Sequence, residues 1–457
     1  MTMNRRQMLA GMAATVGMAQ GSPAHATPSI AARLSKKAIQ PLRTLDPAGP
    51  LDDLEWLDNA VGDARVVAIG ESAHYNGETY QLRHRLQRYL VERFGFSGYA
   101  METGFTEGWL TDKWIRGGQG RIGQVQASGL TSLTGLWTQM RAHLQWMRRH
   151  PTGFYGIDLG GSNTSLLPAL DAVTAYLAQA DPEYTIDPRI RQTASAFAAT
   201  SAFSAPAAIA AYGQLTSDTR DALTANLAEL AARMTARRLE YLQRTTIDAY
   251  ERAQRSLRHT VILDTVNRAM ARGDMQTAMF NRDAEIADTV ERILRRENRI
   301  LLAAHNGHIQ RWPGTLPGIP TMTPMGMHLA DRLGNDYRVI GMTTGTGQTL
   351  NTDADFYAGK LFTTLDPPKP DSLDGLMAAS HDGPFATDLR RLSPHDTATV
   401  KTITQQRYGT YYAEVNPLRA YDVIVHLPRV TAAQPDQDAL AHSPREVRET
   451  FAKWQSQ

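Results

Sequence analysis

Short apolar runs alternate with stretches of helical period along the first third of the chain and again along the last third. Residues 65–69, Arg-Val-Val-Ala-Ile, form a continuous β-branched run, the pattern of a strand covered on both faces. Residues 78–94 place Leu82, Leu86, Tyr89 and Leu90 on one helical face, and Gly95 supplies the stop. Gly98-Tyr99-Ala100-Met101 predicts a second strand ending at Glu102, and Phe154-Tyr155-Gly156-Ile157 a third ending at Asp158. Helical patterns over 106–116 and 133–149 lie between them. From 166 to 272 the alternation stops; Ala, Leu, Gln and Arg dominate, with helical period over 221–245 and 248–272. It resumes with a helix over 275–297 and strands over 299–303, 337–342 and 421–427, while the Gly- and Pro-rich stretch 312–324 predicts a loop.

This order predicts an α/β fold: a mainly parallel sheet covered by helices, with an inserted helical cap. The implied organisation is a leader at 1–26, a first part of the α/β core at 27–165, the helical insertion at 166–272 and the second part of the core at 273–457. A chain of 457 residues is long for one simple domain, and an insertion accounts for the excess. No internal repeat is evident.

The leader changes the charge balance. Asn4-Arg5-Arg6-Gln7-Met8-Leu9, a weakly apolar run from Ala10 to Ala19 and Ala24-His25-Ala26 have the form of a twin-arginine export signal with its cleavage site, so the mature chain is expected to start near Thr27 in a periplasmic or secreted location. Its removal takes two arginines and no acidic residue, which brings the formal charge from +2 to zero. Such a chain has no net field for nucleic acid or an anionic membrane, and basic clusters such as Arg148-Arg149-His150 read as solvated helix faces. No later run approaches the roughly 20 apolar residues of a membrane span. With no cysteine, disulfide and thiol chemistry are excluded.

Candidate chemistry gathers at the strand ends, where α/β proteins place their ligands. Gly70-Glu71-Ser72-Ala73-His74 closes one strand and Ala304-His305-Asn306-Gly307-His308 another. A carboxylate beside a histidine fixes its tautomer and stabilises the imidazolium formed as it takes a proton from water, so Glu71 and His74 form a candidate general base. Glu102 ends the next strand, and a turn at Asn306-Gly307 is expected to bring His305 and His308 to the same cleft. Three mechanisms can use this set. Water can be activated at His74, with Arg83 or a protonated histidine stabilising the oxyanion. A zinc or manganese ion can be held by Glu71, His74, Glu102, His305 and His308, although no helical H-E-x-x-H is present. Ser72 can act as nucleophile, but His74 replaces the last glycine of a G-x-S-x-G elbow and no oxyanion segment of the HGGG type occurs.

The stretch Gly70-Glu71-Ser72-Ala73-His74-Tyr75 with Glu78, Arg83, residues 90–96 and Glu102 resembles the opening block of the erythromycin esterases. Ala304-His305-Asn306-Gly307-His308-Ile309 resembles that family's second signature, and Arg282-Asp283 and Tyr155-Gly156-Ile157-Asp158 fit the pattern between. The resemblance implies hydrolysis of a macrolide lactone by activated water without a covalent intermediate, with His74 as general base and Glu71, Arg83, Glu102, His305 and His308 at the other active-site positions. It implies no required cofactor as the first reading and leaves a divalent metal open. One departure stands out: many members carry glycine directly after the first histidine, where this chain has Tyr75.

The macrolide would be read by the helical insertion, whose Ala- and Leu-rich helices suit an apolar pocket. Trp109, Trp114, Trp137 and Trp146 are expected in the core. Two other readings remain at this level: a metal-dependent hydrolase of another ester or a peptide, and a periplasmic binding protein with a degenerate site. Oligomeric state is not legible.

Overall fold

The computed structural model describes residues 32–150, 152–316 and 319–457. The export signal and the expected start of the mature chain lie outside the described residues.

The β-branched runs form the centre of a nine-stranded sheet. In chain order its strands are β1 (Gln40–Pro41), β2 (Val66–Ile69), β3 (Gly98–Gly104), β4 (Gly153–Asp158), β5 (Ile300–Ala303), β8 (Tyr337–Leu350), β9 (Phe362–Leu365), β10 (Phe385–Asp388) and β13 (Val423–Val430). Two hairpins stand apart from it, β6 (Gly314–Leu316) with β7 (Ile319–Met322) and β11 (Gln405–Tyr408) with β12 (Tyr411–Glu414). The sheet order is β1-β10-β13-β8-β2-β5-β3-β4, with β9 added to β8. From β13 to β4 every pairing is parallel; β10 and β1 join antiparallel at one edge, and β9 pairs antiparallel with the far end of β8. The sheet is therefore mainly parallel, as its sequence predicts.

Both faces are covered because the strands are apolar on both. Val67, Ile69, Tyr99, Met101 and Leu301 point into one core, with Leu82, Leu86 and Leu90 of the Gly77–Phe94 helix. Val66, Ala68, Ala100, Ile300 and Leu302 point into the other, against Ile286, Val290 and Ile293 of the Met275–Ile293 helix. Gly95, at φ 66, ends the first of these helices, its N–H bonded back to the last turn. Between β4 and β5 the chain forms only helices, from Leu167–Ala180 to Ile247–Ala271, around a third core that includes Leu170, Val173, Leu227, Leu230 and Leu263. Thr216 and Thr246 cap two of them through their hydroxyls.

Several local expectations are corrected. Stretch 312–324 is not a plain loop: its glycines and prolines flank β-branched Thr315, Ile319 and Thr321, which belong to the β6–β7 hairpin. The helix expected over 133–149 begins only at Thr138, because Ser132 and Leu133 take φ of 52 and 64, a left-handed course that no right-handed helix continues. A separate helix, Ile122–Gly129, precedes it. The period over 221–245 belongs to two helices, Ser217–Ala236 and Arg238–Arg244, that part at Arg237. Trp114, Trp137 and Trp146 are core residues, whereas Trp109 is half-buried against Phe105.

The strand order fixes where a ligand can sit. After β2 the chain turns towards β3 and β4, and after β5 it crosses to β8 on the far side of β2. Connections that leave two adjacent parallel strands in opposite directions open a crevice at their carboxyl ends. Here that crevice lies between Gly70–His74 and Ala304–His308.

Candidate active site

Packing at this crevice is close enough to dictate residue type. A Cβ on Gly70 would lie 1.9 Å from Asn306 Oδ1. Asn306 needs that position, since its amide bonds both the carbonyl (2.7 Å) and the N–H (3.1 Å) of Met342 and so ties the turn after β5 to β8. Arg83 does the same for β2 and β5: one Nη2 donates to the carbonyls of Ile69 (3.1 Å) and Ala304 (2.8 Å). Its Nη1 lies 3.2 Å from Glu71 Oε2. Arg83 is thus buried behind Glu71 and does not line the cavity, so the expected direct contact with an oxyanion is not what its position provides.

Glu71 Oε1 meets His74 Nδ1 at 2.7 Å. Burial opposes the charge on Glu71, but Arg83 and His74 outweigh it and hold the carboxyl below its ordinary range. Burial also works against a charged His74; Glu71 and then Glu102 overcome it and raise the imidazole above its usual 6.5. Among the described residues His74 Nε2 has no protein partner, and about a third of the side chain, 31 %, is exposed at the cavity.

The turn after β5 is a single helical turn, Asn306–Ile309, and it places its two histidines differently. His305 donates from Nε2 to the Ser72 carbonyl (3.2 Å) and accepts at Nδ1 from the Gly307 N–H (3.1 Å). Burial and the neighbouring His74 pull its pKa down to about 4, so it is a neutral ring with both nitrogens engaged. His308 lies between carboxylates, with Nδ1 2.7 Å from Asp283 and Nε2 3.4 Å from Glu102. Although burial works against its charge, those two acids raise it to about 10, which makes it an imidazolium at neutral pH. Glu102 in turn accepts the His305 N–H (2.7 Å) and lies 3.2 Å from Arg282, and against its burial His308 holds it well below its ordinary value. Arg282 also grips Asp158 with Nε (2.9 Å) and Nη2 (2.6 Å).

All six residues singled out in the sequence therefore meet here: His74, Glu71, Arg83, Glu102, His305 and His308. Asp158, Arg282 and Asp283 join them without having been placed in the site from sequence. Asp158 carried the same strand-end signal as Glu102. Arg282 and Asp283 sit inside a long helix and carried none beyond their place in the family pattern. Ser72 has no base: its hydroxyl is 3.3 Å from Thr344 Oγ1, and no histidine side chain bonds it. For a cation, Glu71, His74 and Glu102 can bring three donor atoms within 4.8 Å of one another. Glu71 is already bonded to His74 and paired with Arg83, and Glu102 accepts from Arg282 and the His305 N–H, so an ion there would have to displace those partners.

The cavity above these groups has a volume of about 290 Å³. Val266 and Met270 of the inserted helices form part of its wall, but Leu350, Phe356, Tyr357 and Tyr408 of the core supply as much. The left-handed non-glycine residues among those described are Tyr75, Ser132, Leu133, Ser162 and Asn163, and all but Leu133 line this cavity. Backbone strain of this kind persists only where the surroundings enforce it. Tyr75, at φ 66, stacks on Trp137 at 5.4 Å and donates its hydroxyl to the Ser132 carbonyl. Its conformation suits glycine, the residue many erythromycin esterases carry after the first histidine.

The chain is similar to known proteins over most of its length. The family model described as erythromycin esterase matches residues 91–430. The chain is 27% identical over 414 residues to an erythromycin esterase type II of Escherichia coli, covering 86% of this chain and 96% of that one. It is 26% identical over 323 residues to the type I enzyme of the same organism, covering 68% and 76%. An erythromycin esterase variant, EreC, in its open conformation superposes with a TM-score of 0.71 at 21% identity, covering 86% of this chain and 98% of that one. A Bacillus cereus protein gives 0.71 at 19% identity, covering 88% and 97%. These structural likenesses carry the fold, and the matched family model carries the kinship. The chain belongs to the erythromycin esterase family of carboxylic ester hydrolases.

Proposed function

We propose that the protein opens the lactone ring of a macrolide antibiotic by attack of a water deprotonated at His74 Nε2, and that it thereby confers resistance. The observation that carries this reading is the free Nε2: of the six imidazole nitrogens of His74, His305 and His308, it alone lacks a protein partner among the described residues. Glu71 holds the Nδ1–H tautomer, which leaves the Nε2 lone pair facing the cavity, and Arg83 keeps Glu71 ionised and in place. Water adds to the ester carbonyl, the proton passes to His74, and the charge on the tetrahedral oxygen is met by the cationic His308 and Arg282 in the cavity wall. Collapse releases the ring alcohol, which takes the proton from His74, and leaves a carboxylic acid on the opened chain that gives up its remaining proton to solvent.

The test is mass spectrometry of macrolides of differing ring size after incubation with the mature protein. Gain of one water, lost in His74→Ala, is the expected result; no gain in any macrolide rejects the substrate class. A metal-assisted version draws on the spacing of Glu71, His74 and Glu102, and full turnover after exhaustive chelation would dismiss it. The proposed location is the periplasm, and a resistance phenotype that survives with Arg5 and Arg6 both changed to lysine would argue against export by the twin-arginine route.

A further inference from the structure

A second cavity, about 180 Å³ in volume, lies along the outer side of β4, the last strand of the sheet. It shares no lining residue with the cavity at the strand ends. Helices Phe105–Ile115, Ile247–Ala271 and Met275–Ile293 close around it, and its composition is unusual: Phe105, Trp109, Phe154 and Ile293 give apolar surface beneath five arginines.

The arginines are only partly neutralised. Asp112 (3.4 Å) and Asp248 (3.0 Å) answer Arg252, and Glu251 (2.8 Å) and Asp248 answer Arg296. Arg292 and Arg295 have no carboxylate partner among the described residues, and both are exposed at the rim. Arg255 is the telling one, because it is only 5% exposed and still lines the cavity. Its Nε and Nη2 donate to Thr289 Oγ1 (3.2 and 2.6 Å), and Nη2 also donates to the Glu285 carbonyl (2.9 Å). Among the described residues its Nη1 has no hydrogen-bond acceptor. Glu285 Oε1 approaches to 3.1 Å but makes no hydrogen bond, so the one buried ion pair is poorly aligned. Burial pulls the Arg255 pKa down to about 10 in spite of that carboxylate. A buried guanidinium with a spare donor, beside two exposed arginines that lack a carboxylate partner, is disposed to take an anion.

We propose that this cavity is a second ligand site that takes a small aromatic carboxylate. The carboxylate is held by the arginine fork in the manner of an Arg–carboxylate pair, and the ring lies against Trp109 and Phe105. Neither inorganic anions nor neutral aromatics satisfy both halves of the site. The inference does not depend on the catalytic reading, since its test needs no turnover.

Isothermal titration calorimetry with 2-naphthoate, 2-naphthylmethanol and inorganic phosphate tests it on the full chain. The carboxylate should bind at least about tenfold more tightly than either of the others, the ratio one charge-assisted hydrogen bond supplies. Arg292→Glu, at an exposed position, should weaken 2-naphthoate by about tenfold or more with the melting temperature retained, and Trp109→Ala should weaken it as well. His74→Ala should leave it unchanged. Equal binding of phosphate, binding untouched by Arg292→Glu, binding lost in His74→Ala, or no binding at all would each overturn the proposal.

Discussion

The loop after β2 and the helical turn after β5 bring three histidines to one crevice, and the two segments treat them in opposite ways. After β2, His74 is tethered at one nitrogen to a carboxylate and is open at the other. After β5, His305 is tethered at both nitrogens by backbone and is neutral, while His308 is held between two acids and is charged. The difference teaches that burial alone does not choose a role for an imidazole. The partner at Nδ1 decides: a carboxylate backed by Arg83 leaves a ring open at its other nitrogen, a backbone N–H gives a fixed neutral ring, and a carboxylate with a second acid opposite gives a standing cation.

Removing His74 should break this contrast most completely. On the proposed mechanism His74→Ala lowers kcat by about 10²–10⁴-fold with the melting curve preserved, and His305→Ala costs far less; equal losses in steady-state assays would remove the distinction between the two segments. Arg83→Ala should act on stability, since it leaves Glu71 buried without its partner, at a cost of about 3–5 kcal/mol in urea unfolding. Glu71→Gln sharpens the same comparison through pH. His74 must be unprotonated to act, so the acid limb of kcat/KM in the native protein is expected above 6.5. Loss of the Glu71 charge should move that limb to lower pH, while His305, at about 4, contributes no limb near neutrality.

His308 supplies a stability test with a defined sign. Its pKa is raised on folding, so its contribution is complete below the ordinary 6.5 and is lost as pH climbs through about 10. The melting-temperature gap between native protein and His308→Gln should shrink across that window. Tyr75→Gly should have the smallest effect. It relieves about 1–2 kcal/mol of left-handed backbone but loses about 0.5–1.5 kcal/mol of stacking on Trp137 and the buried ring surface. A stability change within about 1 kcal/mol with an altered KM for bulky macrolides is the expected result.

Much of this arrangement is legible in the sequence. The runs at 65–69 and 299–303 are buried parallel strands because β-branched and apolar residues without alternation can be covered only on both faces, and a strand end that carries Glu and His is a local feature. Arg282 and Asp283 were hidden because they reach the site from the interior of a helix, through a three-dimensional register that no period encodes. The share of the pocket formed by Phe356, Tyr357 and Tyr408 was hidden for a similar reason, since the expected apolar wall was assigned to the inserted helices alone. Ser132 and Leu133 misled in the other direction: their apolar neighbours extend a helical period across a left-handed bend.

The Arg83 clamp has a consequence for how such a protein can change over time. One guanidinium spans the ends of β2 and β5, joining Ile69 to an acceptor 221 positions away from the arginine itself, while the inserted helices depart and return on the other side of that joint. The insertion is therefore an exchangeable attachment on a fixed mount. It can lengthen, shrink or drift in sequence while the spacing of His74 and His308 stays the same.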